Sequence, residues 1–195
     1  KLVDPFFYLT SKQIEDNDGM ARLRISRADM MPQDVTSIME FTEQQGMVCE
    51  KAFAKYGQQW VTSLISGKFL EDEQESDDGN GSFLESTVQA VMRRLTFLNA
   101  SQTKVFTRYD KELGLGYDSL LPQIVCALET GRIITIDTTL ISEKEQFLLT
   151  TIVARVLFEL RKALKSSLES KESLQDQIRL AFGINPEQGT SGAEK

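Results

Sequence analysis

The feature that most constrains this chain is the run Gly131 to Lys165, G-R-I-I-T-I-D-T-T-L-I-S-E-K-E-Q-F-L-L-T-T-I-V-A-R-V-L-F-E-L-R-K-A-L-K, in which two different hydrophobic periods meet. Ile133, Ile134 and Ile136, with Thr135 among them, form a β-branched run bounded by Gly131 and by polar residues, which predicts a buried strand from Arg132 to Asp137. Ser142 to Glu145 then spells S-E-K-E. The serine oxygen accepts the backbone N–H of Glu145 while the glutamate reaches back, a capping box that starts a helix near Glu143. Leu149, Ile152, Val153, Val156, Leu157, Leu160 and Leu164 follow at helical steps, so one face is core. Arg161, Lys162 and Lys165 fall in the expected last turns, where positive charge complements the helix dipole.

Upstream, Leu120 to Glu129 reads as a short helix with Pro122 in its first turn, and Gly131 is its stop because glycine adopts the left-handed conformation without a Cβ penalty. Helix, glycine, strand and capped helix in that order predict a helix-rich α/β fold with part of a parallel sheet. Ala21 to Ile25, A-R-L-R-I, alternates apolar and charged residues and reads as a peripheral strand. Pro32 suits the first position of a helix carrying Val35, Ile38 and Met39, and a second helix is expected from Val48 to Ile65, with Phe53, Tyr56, Trp60 and Leu64 near one face. The expected organisation is therefore a peripheral strand and loops over 1–31, a helical pair over 32–68, an acidic flexible loop over 69–82, a helix, strand and long amphipathic helix over 83–182, and an unstructured tail over 183–195.

The acidic stretch F-L-E-D-E-Q-E-S-D-D-G-N-G-S, Phe69 to Ser82, reads as a solvated loop, since it does not match the spacing of a calcium loop. Ser82 to Glu85, S-F-L-E, is a second capping box, ahead of a helix with Val88, Val91, Met92, Leu95 and Leu98 as its stripe. Arg93 and Arg94 lie on its exposed side, and with Arg108 they are the candidates for contact with DNA or a neighbouring subunit, weighed against ordinary surface pairing. With 22 Lys plus Arg against 29 Asp plus Glu, the net charge of -7 argues against a free-standing nucleic-acid binder driven by phosphate contacts. No run reaches the roughly 18 apolar residues of a membrane span and no signal-peptide pattern is present, so a cytoplasmic protein without membrane contact is expected. Cys49 and Cys126 are read as core thiols.

The chemistry of the sequence is largely defined by what is missing. There is no histidine, which removes Ser-His and Cys-His pairs and His-rich metal sites. No G-x-x-x-x-G-K-[ST] loop occurs, and Gly114 to Gly116, G-L-G, reads as a turn. Ile133 to Asp137 mimics a Walker B strand, whose terminal Asp would hold magnesium. The other reading of Asp137 is a strand terminus that hydrogen-bonds into the following turn.

L-E-T-G-R-I-I-T-I-D and I-V-A-R-V-L-F-E-L-R-K, within Leu120 to Lys165, resemble a region of HerA-type ATPases, the hexameric DNA-translocating relatives of FtsK. A-R-L-R-I, the D-x-x-P helix start and E-Q-Q before the helix with Trp60 are similar to the helical elaboration those ATPases carry after the nucleotide loop. The resemblance covers roughly 21–165. It implies a partial RecA-like parallel sheet with a helical insertion, in a parent that uses ATP and Mg to move DNA as a homo-oligomeric ring. In that family the phosphate-binding lysine lies before this region and the Walker B carboxylates after it. The resemblance therefore assigns no catalytic, nucleotide-binding or metal residue here and makes Asp137 a strand end. Its partners would be the remainder of the parent ATPase and, through it, DNA. Lys1 in place of an initiating Met fits an internal segment. The alternative is a self-contained helical protein-interaction or regulatory domain.

Overall fold

Strand β1, Phe6–Thr10, is the middle of a sheet whose members come from opposite ends of the sequence. On one side it pairs in parallel with β2, Met20–Arg22, and on the other with β5, Ile133–Asp137, in the register Phe6↔Ile133 to Thr10↔Asp137. A second parallel pair joins β3, Ile25–Ser26, to β4, Phe106–Thr107. The chain is a helix-rich α/β protein, and the computed structural model describes residues 6–12, 14, 20–75, 83–100, 103–111 and 113–169. Two units divide it, Lys1–Leu149 and Thr150–Lys195.

The A-R-L-R-I segment does not form one strand. The Leu23 N–H donates to the Thr10 carbonyl at 2.7 Å and the Ile25 N–H to the Val105 carbonyl at 2.8 Å, so the chain leaves one sheet and enters the other within a few residues. Ala21, Leu23 and Ile25 are buried, while Arg22 and Arg24 point the other way. β5 also departs from the buried strand expected of it. Among the described residues it pairs only with β1, and Ile133 is 55% exposed beside Phe6 at 54%. Leu9, on the opposite face of β1, is fully buried.

Among the described residues, the crossover from β3 to β4 contains six α-helices: α1 Pro32–Met39, α2 Glu43–Tyr56, α3 Trp60–Ser66, α4 Lys68–Glu75, α5 Glu85–Leu95 and α6 Phe97–Ala100. Pro32 does occupy the first position of α1, and the Asp34 carboxylate accepts the Met31 N–H at 2.9 Å. The single helix expected over 48–65 is broken instead. Gly57, at φ 55°, ends α2, a 3-10 turn Gly57–Gln59 follows, and α2 starts earlier, at Glu43, because Thr42 and Gln45 form a capping box.

The acidic segment is not a loop throughout. Its first part is α4, anchored by fully buried Phe69, and its carboxylates have partners on α2: Glu73 pairs with Lys51 at 2.7 Å and Asp72 with Lys55 at 3.1 Å, while the Tyr56 hydroxyl donates to Asp72. Residues 76–82 lie outside the described residues, including Ser82 of the expected capping box. Leu84 is the N-cap of α5 and makes no side-chain cap bond.

Helix α7, Leu121–Glu129, ends at Gly131 with φ 78° and packs on β5. It turns Cys126 outward, so this thiol is exposed rather than a core group, whereas Cys49 is buried and its thiol is pushed up to about 12 by desolvation and by Glu50. Helix α8, Glu143–Glu169, begins in the first unit. Ser142 and Glu145 close its capping box, with the Ser142 N–H donating to Glu145 at 2.9 Å and the Glu145 N–H to Ser142 Oγ at 3.4 Å. The described part of the second unit is the rest of this helix, 150–169, which runs past Lys165, so no basic residue stands in its last described turn. The 183–195 tail lies outside the described residues. Among the described residues no helix is long and apolar enough to cross a membrane.

Trp60 ties the helical crossover to the strands. Its side chain is fully buried and its indole N–H donates to the Met30 carbonyl at 2.9 Å, just beyond β3. Replacing Trp60 by Phe keeps an aromatic ring but leaves that carbonyl without its donor, so unfolding in urea is expected to show a loss of about 1 to 3 kcal/mol.

Candidate functional site

The alternation that buries Ala21, Leu23 and Ile25 sends Arg22 and Arg24 to the opposite side of the chain, where both line a cavity of about 530 Å³. After β3, the Ser26 hydroxyl accepts the Ala28 N–H at 3.2 Å and starts a 3-10 turn, Arg27–Asp29, which places Arg27 on the same cavity. The Asp29 carboxylate of that turn accepts the hydroxyls of Tyr117 at 2.9 Å and Ser119 at 2.6 Å. The parallel partner strand supplies the other wall. Lys104, in the left-handed conformation at φ 49°, precedes β4, and Arg108 follows it. Ser26 pairs with Thr107, and the residue that follows each, Arg27 and Arg108, lines the same cavity.

Five cationic side chains thus face one space, and Asp118 is the one carboxylate among the described lining residues. Arg24 Nε donates to Asp118 at 3.0 Å, Arg22 donates to the Thr103 carbonyl at 3.1 Å, and Arg108 pairs with Asp110 at 2.7 Å. Arg27 is the one buried residue among these five. It is only 5% exposed, its Nη2 donates to the Leu98 carbonyl at 2.7 Å, and its Nε has no hydrogen-bond partner among the described residues. Desolvation, with a further contribution from Arg108, lowers this guanidinium from 12.5 to about 10, so it stays charged at neutral pH.

The three arginines named as contact candidates separate. Arg108 belongs to the cavity. Arg94 donates to the carbonyls of Met39 and Glu40, the latter at 3.0 Å, and lies over the Phe41 ring; it satisfies the end of α1. Arg93 Nε reaches the Gln89 carbonyl of its own helix at 3.4 Å. Arg22, Arg24, Arg27 and Lys104 were not legible as site residues. The available signal was R-L-R-I-S-R, Arg22 to Arg27, a strand pattern with arginine on one side.

Asp137 sits at the carboxyl end of β5, level with Thr10 of β1. Its Oδ1 accepts the Thr139 N–H at 3.0 Å and the Thr139 hydroxyl, and its Oδ2 accepts the Thr10 hydroxyl at 3.2 Å and lies 3.9 Å from Lys12 Nζ. The side chain bridges the two strand ends and closes the turn after β5. Gly114, at φ 68°, makes the turn that joins Asp110 to Leu115, as read from G-L-G. No group of three or more Cys, Asp or Glu side chains among the described residues is placed to hold a metal ion.

The Thr139 hydrogen bonds, helped by Thr10 and Lys12, lower the Asp137 carboxyl from 3.8 to about 2. A carboxyl depressed in the folded state stabilises the fold above its unfolded value, and that contribution is lost as pH falls through the folded value. The stabilisation by Asp137 is therefore expected to be complete above about pH 4 and to disappear toward about pH 2. Titration of the carboxyl carbon by NMR reads it directly, and Thr139→Val is expected to move the midpoint back toward 3.8.

Comparison with known protein families, curated proteins and solved structures finds no match to this chain.

Proposed function

We propose that this chain is a mostly helical, non-catalytic segment of a HerA-like ring ATPase, whose parent couples ATP hydrolysis to DNA movement. Its own part is to scaffold the ATPase core and to furnish subunit contacts. The observation that carries the reading is the open side of the sheet. Parallel sheets are normally covered on both faces and continued by further strands. Here β5 pairs on one side only among the described residues, as expected where a further strand continues the ladder, and Ile133 and Phe6 stand exposed on one face, as expected where another layer covers it.

The residues at and around Asp137 do not form a magnesium-ATP catalytic site. The chain has no phosphate loop, and both Asp137 oxygens accept hydrogen bonds from Thr10 and Thr139. One observation favours the self-contained interaction domain as a second reading: α2, α3 and α5 share a buried core of their own around Val48, Ala52, Trp60, Leu64, Val91 and Leu95.

Two measurements test the proposal. The coding sequence flanking these residues is expected to hold a G-x-x-x-x-G-K-[ST] loop before them and an apolar strand ending in two carboxylates after them; flanks without both would overturn it. Incubated with Mg-ATP, the chain is expected to release phosphate at the background rate, unchanged by Asp137→Asn. Turnover that Asp137→Asn abolishes would restore Asp137 as a magnesium ligand.

A further inference from the structure

We infer that the cavity between β3 and β4 is a binding site for a compact anion bearing phosphoryl groups, held by Arg27 in its buried part and by Arg108 and Lys104 at its exposed rim. The first support is the state of Arg27. A buried guanidinium is costly unless paired and fully hydrogen-bonded, and replacing such a group by an apolar one is often neutral or stabilising. Arg27 forms no ion pair among the described residues, keeps one nitrogen without a partner, and faces a second cation, Arg108. Arg108 is itself paired with Asp110, but its charge still acts on Arg27, and two guanidiniums lining one space can together hold an anion placed between them.

The second support is shape. About 530 Å³ is within the range of clefts that hold a small molecule, this one open to solvent on one side, and Leu98, Phe106 and Leu115 contribute apolar lining. A nucleic-acid backbone would instead need cations strung along an open surface of a protein whose net charge is -7. Arg93 and Arg94 do not line the cavity. Location gives the third support. Arg27 and Arg108 stand just beyond the carboxyl ends of two parallel strands, the side where ligands characteristically bind, while Lys104 lines the cavity from before β4. The Asp118 carboxylate opposes an anion at one wall, and its bond to Arg24 reduces that opposition.

The test is calorimetric titration of the whole 195-residue chain with inorganic pyrophosphate at low salt, alongside thermal unfolding. Binding that weakens with added salt and a Tm raised by pyrophosphate are expected. Arg108→Gln and Lys104→Gln, both at exposed positions, are each expected to weaken binding by about tenfold; Lys104→Gln is expected to leave Tm without ligand nearly unchanged, whereas Arg108→Gln also lowers it by removing the partner of Asp110. Arg27→Gln is expected to abolish binding and the pyrophosphate-induced rise in Tm. If that variant fails to fold, the two rim variants still decide the matter.

Adenosine diphosphate and adenosine separate the sources of the phosphoryl groups. Diphosphate binding tighter than pyrophosphate assigns a nucleotide, and equal binding assigns a free polyphosphate; both support the site. No heat and no Tm shift at millimolar pyrophosphate, equal affinity in the rim variants, or adenosine binding as tightly as its diphosphate would each overturn it. A single-stranded oligonucleotide bound more tightly than pyrophosphate, and weakened by Arg93→Gln or Arg94→Gln but not by Arg108→Gln, would overturn it in favour of a backbone-tracking surface.

Discussion

Pairing at the carboxyl end of β1 is the constraint on which the other arrangements depend. Thr10 accepts the Leu23 N–H through its carbonyl, the Lys12 N–H through its hydroxyl oxygen, and donates that hydroxyl to Asp137. One residue thus fixes where the chain leaves the first sheet and where β5 ends, although Thr10 and Asp137 are 127 residues apart in sequence. Such a sheet forms only after a long loop has closed, and the entropy of closure precedes any gain from pairing. The helical crossover gives part of that gain early, because α2, α3 and α5 pack on one another within a short stretch of chain.

What was legible in the sequence is what local chemistry decides. Ser142 with Glu145, Gly131 in the left-handed region and Pro32 at the first helical position involve residues within four of each other, and each stands where its pattern put it. The failures share a different cause. F-F-Y-L-T, β1, lacks polar alternation because one face meets the core at Leu9 while the other still carries Phe6 and Tyr8. Its strand character comes from partners far along the chain. The α2 to α3 run has continuous helical spacing, and only Gly57 at positive φ breaks it. Cys126 sits in an apolar string, yet helical geometry places it on the outer side of α7, between buried Val125 and Ala127.

The acidic segment shows how partners convert composition. Leu, Glu and Gln are good helix formers, but seven residues with four carboxylates would repel one another in isolation. Lys51, Lys55 and Tyr56 of α2 face Asp72 and Glu73, and Phe69 buries its ring, so repulsion becomes an attraction between neighbouring helices. Exposed pairs of this kind contribute little individually. Here Glu73 is nearly buried, which removes screening and makes Lys51 its necessary complement.

The same logic in reverse identifies the cavity. Net charge of -7 describes the surface as a whole and says nothing about where a desolvated charge stands. Three carboxylates of the described residues around the cavity are engaged locally: Asp29 accepts from Tyr117 and Ser119, Asp110 pairs with Arg108, and Asp118 with Arg24. Among the described residues, Arg27 is left with a carbonyl and the charge of Arg108. Such a placement could not be read from R-L-R-I-S-R alone, because it depends on β4 arriving in register from about 80 residues away. A slip of one position along β3 and β4 would shift Arg108 relative to Arg27, so the register that closes the helical crossover is also the one that brings both to one cavity.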